Sequence, residues 1–105
     1  RGALWRIDEL LQPQALKDAA ALPDRRGAAV RETRQVIEDE QYNAALLADP
    51  DSAAAWQRAL AAARLAEETA SQAGADAQLY LMQADRVRSE VMSVRQRLAP
   101  DAPPD

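Results

Sequence analysis

The chain has 105 residues, 48% hydrophobic and 29% charged, with 13 basic against 17 acidic side chains and a net charge of −4. That size gives one domain with a modest core, and the acidic balance argues against nucleic-acid binding, which needs a basic field to displace counterions. The absence of Cys and His removes disulfides, thiolate nucleophiles, the usual general base near neutral pH and the commonest transition-metal ligand. No catalytic, cofactor or metal residue is therefore assigned, and the chain is not read as an enzyme.

Much of the apolar content is Ala, with no Phe and only two Trp and two Tyr, so a thin, close-packed core is expected. Helix propensity is high nearly throughout and strands have no support. Breakers at Pro13, "LPDRRG" (22–27), "ADPDS" (48–52), "QAGAD" (72–76) and the closing "APDAPPD" divide the chain into four helical segments. The first runs from about Ala3 to Leu22 on Leu4, Ile7 and Leu11. Pro13 interrupts it, as a kink or as the first residue of a second short helix, because Pro has no amide hydrogen and clashes with the preceding turn. The second runs from about Asp24, its expected N-cap, to Ala48, with a stripe of Ala29, Val30, Val36, Ile37, Ala44 and Leu47. The third runs from Asp51 or Ser52 to Ala73, closing near Gly74, with Trp56, Ala59, Leu60, Ala63, Ala66 and Ala70 on its apolar face. The fourth runs from about Ala75 to Leu98. Its seam of Ala77, Tyr80, Ala84, Val87, Val91, Val94 and Leu98 alternates steps of 3 and 4, as a coiled-coil face does.

Segments of this length with short connections predict an all-α, up-down-up-down antiparallel bundle of about four helices. Residues 1–98 form the domain and the Pro-rich 99–105 a tail or linker. Around Pro50 the spacing of Tyr42, Ala45, Pro50 and Trp56 resembles part of a tetratricopeptide repeat. The likeness covers about fifteen residues, and the breaks fall closer together than that family's period of roughly 34. It implies, as an alternative, a repeat-like protein-binding scaffold.

Among charged groups, Glu40 falls in phase with Val30, Thr33 and Ile37 on the buried stripe, where a lone carboxylate is costly. An ion pair with an arginine of a later helix is expected, from Arg58, Arg64, Arg86 or Arg88, making Glu40, Arg58, Arg86 and Arg88 the candidate polar seam or ligand contacts. Adjacent residues on a helix point about 100° apart, so the run "EDE" of Glu38, Asp39 and Glu40 cannot converge on one ion. Trp5 beside Arg6 suits a membrane-interface position next to a flanking membrane segment, or the end of a bundle core. Trp5, Leu81 and Met82 are candidate interface residues, and a homodimer is expected to add the apolar burial a small core lacks. The start "RGALW", without Met, reads as a processed chain or an excised domain. The functional expectation is a non-enzymatic interaction module binding a protein or small ligand, of the bacterial extracytoplasmic (periplasmic) sensor or adaptor kind. The alternative is a soluble scaffold or chaperone-like module.

Overall fold

The computed structural model describes residues 2–22, 25–72, 74 and 76–98. They form helices α1 (Ala3–Leu10), α2 (Pro13–Ala20), α3 (Ala28–Glu40), α4 (Ala44–Leu47), α5 (Pro50–Ser71) and α6 (Ala77–Leu98), with no strand among them. The chain is all-α, but it has six helices where about four are expected, because two of the anticipated helices are each broken once. The first break is at proline. Pro13 opens α2 at a position whose amide has no intrahelical partner, and Gln12 before it takes an extended ψ of 129°. Pro50 opens α5 in the same way, after Asp49, whose carboxylate accepts the buried Ser52 hydroxyl at 2.6 Å. The expected cap at Asp24, the helix ends at Ala73 and Ala75, and the tail 99–105 lie outside the described residues.

Four columns pack in a ring: α1 on α3, α3 on α5, α5 on α6, and α6 back on α1. Each adjoining pair runs antiparallel. Arg34 meets Glu67 while Glu38 meets Arg64, and Asp8 meets Arg88 while Leu4 and Leu98 line one cavity. Across α5 and α6, Arg58 pairs with Glu90 and Asp51 with Arg97, a displacement of one heptad along each helix. The unbroken α5 and α6, 22 residues each, set the length of the bundle at about 33 Å. The other two columns are pieced together from α1 with α2 and α3 with α4. α2 lies against α6, and α4 against α5 and α6.

The core follows the apolar stripes. Ile7 and Leu11, Val30 and Ile37, Trp56, Ala59, Leu60, Ala63 and Ala66, and Tyr80, Ala84, Val87, Val91 and Val94 are all buried. On α5 the face toward its neighbours is chiefly Ala, which lets α3 and α6 approach closely. At the start of α3 a Cβ built on Gly27 would stand 3.1 Å from the Ala70 Cβ, so a side chain here would require the two helices to part by a few tenths of an ångström. Gly74 takes φ +72° in the α5–α6 connection, a left-handed conformation that L side chains rarely adopt.

The second break lies between α3 and α4, and its cause is tertiary. The Trp56 indole Nε1 donates to the Ile37 carbonyl at 2.9 Å in the buried interior. In a continuing helix that carbonyl would take the Gln41 amide. Here Gln41 N bonds the Glu38 carbonyl instead at 3.3 Å, α3 ends at Glu40, and Asn43 caps a new helix by accepting from Ala45 N at 3.0 Å. The restart changes helical phase. Ala44 and Leu47, expected inside, are exposed, and Leu46 is buried in their place. Tyr42 and Ala45, two of the four residues that carry the repeat resemblance, are also exposed.

Trp56→Phe keeps most of the apolar burial but leaves the Ile37 carbonyl without a partner. It should cost about 1–3 kcal/mol, against about 3–5 for Trp56→Ala, in urea unfolding followed by circular dichroism; a Trp56→Phe variant as stable as the unmodified protein would show that the hydrogen bond contributes nothing. Tyr80 supplies a second test. Its ring is fully buried and its hydroxyl has no hydrogen-bond partner. Burial pushes its pKa from 10.0 up to about 12, against a small opposing pull from Arg26. The fold is unaffected below pH 10 and loses stability as pH rises through about 12, by about 2–3 kcal/mol. Tyr80→Phe should be neutral or stabilising at pH 7 and should remove this alkaline loss. A variant less stable at pH 7 would mean the hydroxyl is bonded.

Candidate ligand cavity at the base of the bundle

The turn that ends α3 creates a cavity at the lower end of the ring. It has a volume of about 170 Å³ and is lined by Gly2, Ala3 and Leu4 of the first column, Glu40, Asn43 and Leu46 around the α3–α4 turn, Trp56, and Val94 and Leu98 of α6. Its walls are mostly apolar. Its polar groups come from one short segment, because Asn43 Nδ2 donates to Glu40 Oε2 at 3.2 Å while Asn43 Oδ1 holds the start of α4. A second, more open cavity of about 450 Å³ shares Gly2, Ala3 and Glu40 with the first and adds Trp5, Arg6, Val36 and Asp39.

Glu40 is half-buried, where its helical phase predicts a place on the buried stripe, and it is not in the predicted pair. Among the described residues it makes no ion pair, and Asn43 is its hydrogen-bond partner. The arginines expected to reach it are engaged elsewhere. Arg58 and Arg86 both converge on Glu90, at 2.9 and 3.6 Å, and Arg88 faces Asp8 at 3.9 Å, close enough for charge attraction but leaving its buried Nε without a hydrogen bond. The candidate polar seam thus splits in two: Glu40 at the base, and Arg58, Arg86 and Arg88 along α5 and α6.

The interface candidates separate as well. Leu81 packs against the core and lines a cleft with Leu11, Pro13 and Leu16, covered by α2. Met82, next in sequence and therefore about 100° around the helix, is 69% exposed. Trp5 is half-buried beside Arg6, whose guanidinium pairs with Glu32 at 2.9 Å.

A wider depression, about 650 Å³, opens between α3 and α5, and Arg31, Arg34, Arg64, Glu38, Glu67 and Glu68 line it. Most of its charge is already matched internally. Arg34 binds Glu67 at 2.6 Å and Glu38 at 3.2 Å, and Arg64 binds Glu38 at 3.3 Å. Glu67 and, against the opposing effect of burial, Glu38 raise the Arg34 pKa. Arg34 and Arg64 together hold the Glu38 carboxyl below the usual carboxylate range. This is a strap across two helices, with little unspent charge to offer a ligand.

The Arg34–Glu38 link was open to prediction from its i, i+4 spacing, and Asn43 from its place as a capping residue before "AALL". The contribution of Leu46, Val94 and Leu98 to one cavity has no local signal. Among the described residues no group of three acidic side chains is placed to hold a metal ion, and no helix is long and apolar enough to cross a membrane. Comparison with known proteins finds no matching family model, no similar curated protein and no similar solved structure.

Proposed function

We propose that this is a non-catalytic helical binding domain, of the sensor or adaptor kind that bacteria place outside the cytoplasmic membrane, and that the base cavity receives its ligand. The observation that carries the reading is what the cavity touches. Gly2, Ala3 and Leu4 at the start of α1 and Leu98 at the end of α6 line it together, so an occupant bears directly on both ends of the helical body. A ligand that favours one spacing of those ends over another shifts the population between them, which is the elementary act of a sensor. The lining supports binding over chemistry: it offers one carboxylate, one amide already committed to two hydrogen bonds, and apolar walls.

The test uses Trp56, which forms part of the wall, as its own reporter in a Trp5→Phe background. Small amphiphilic probes with a short aliphatic chain and a hydrogen-bonding head, such as 1-butanol, should change its emission saturably. Leu46→Phe, which fills the space, should suppress that response while leaving the fold intact by circular dichroism. Probes that leave the emission unchanged at every accessible concentration would remove the cavity reading.

A second reading, a scaffold that holds a protein partner, is favoured by Leu79 and Met82, one turn apart on α6 and 43% and 69% exposed. Self-association through that ridge is its simplest form. Sedimentation equilibrium at tens of micromolar should show a dimer that Met82→Asp dissociates, and a monomer at all concentrations would end the homodimer claim.

A further inference from the structure

We propose that the base cavity selects a small organic ammonium ion carrying a short aliphatic chain, either a free alkylamine or the end of a lysine side chain. The inference rests on the cavity being the binding site and adds the class of ligand.

Three features converge on it. Among the described lining residues Glu40 alone is ionisable, so the cavity presents a carboxylate with no lining cation to balance it. Asn43 occupies only Oε2, which leaves Oε1 to accept from a ligand. Among its described lining residues the adjoining cavity adds the exposed Asp39 and one cation, Arg6, which is already paired to Glu32 at 2.9 Å. The junction of the two cavities is therefore anionic, and an anionic ligand would meet repulsion there.

The second feature is the indole wall. Trp56 is 2% exposed, and its Nε1 is committed to the Ile37 carbonyl. Its polar handle is thus unavailable to a ligand, so the indole adds apolar wall and no donor that would compete for the carboxylate. The third is the apolar lining from Leu46, Val94 and Leu98. A cavity of about 170 Å³ is close in size to the roughly 150 Å³ engineered cavity that admits benzene, and a four-carbon chain fits. A purely apolar occupant would desolvate Glu40 without replacing its water. An ammonium head donates to the carboxylate as its chain displaces water from the walls, and so answers both surfaces.

The experiment titrates the unmodified protein with n-butylammonium, 1-butanol and butyrate, following amide shifts by NMR. The ammonium should bind about tenfold more tightly than the alcohol, the difference expected when a hydrogen bond becomes charge-assisted, and butyrate most weakly. Glu40→Gln should bring the first two together, and Asp39→Asn should change their ratio less. N-acetyl-lysinamide separates the sources: tighter binding than n-butylammonium assigns the ammonium to a protein partner, and weaker binding to a free amine. If 1-butanol binds as tightly as n-butylammonium to the unmodified protein, the ammonium selectivity is wrong while the cavity remains a binding site. If no probe binds, both readings fall. The comparison among probes on the unmodified chain decides the matter even if Glu40→Gln fails to fold.

Discussion

A single hydrogen bond, from the Trp56 indole to the Ile37 carbonyl, determines how the α3–α4 column is built and what forms at its foot. A buried indole N–H and a buried carbonyl are each costly when unpaired. Satisfying both with one contact takes Ile37 out of the helical ladder and stops α3. The turn that follows brings Asn43 into position, Asn43 starts α4, and α4 carries Leu46 inward. Glu40, the last residue of α3, is left at the mouth of the space so formed. The cavity is thus a product of the break in the column. A straight helix from 28 to 48 would have left Glu40 in place but turned Ala44 and Leu47 inward and Leu46 to the outside.

Of the ion pairs, most lie at the surface, and Arg34–Glu67 is part-buried. Arg6–Glu32, Arg34–Glu67, Arg64–Glu38, Arg58–Glu90 and Arg97–Asp51 each join two different helices. Exposed pairs of this kind contribute about 0–1 kcal/mol each; they favour one register without supplying much stability. Inside, Ala-lined α5 gives close helix approach but little area per side chain. Tyr80, the largest fully buried side chain, fills volume that the alanines leave, at the cost of burying a hydroxyl with no partner.

The parts of the fold that depend on local pattern were legible in the sequence. The α6 seam was readable because Tyr80, Ala84, Val87, Val91 and Val94 keep their 3–4 spacing without interruption, and the break at Pro13 because proline imposes it chemically. The end of α3 was not, since its cause lies 19 residues away in Trp56 and "AALL" has high helix propensity in any context. At the site, the helical phase of Glu40 pointed to the buried stripe, whereas the residue is half-buried where α3 ends. Its partner was misjudged because the antiparallel register of α5 on α6, which brings Arg58 to Glu90, cannot be read from either helix alone. Leu81 and Met82 show the same limit: nothing local says which side of α6 the short α2 will cover.

The distribution of packing also bears on the order in which the fold assembles. By far the most extensive contact lies between α5 and α6, which are adjacent in sequence and joined by a short connection through Gly74. Closing that hairpin loses little loop entropy, so it forms early. The first column packs on α3 and on the distant α6 and so must wait for its platform. Folding then runs from the C-terminal hairpin toward the N-terminus, with φ-values near one on the α5–α6 face and near zero on α1 as its kinetic signature. On a ribosome, which releases the chain in the opposite order, α1 to α4 would emerge before the surface they need, and the domain would acquire its structure only when its last helix is free.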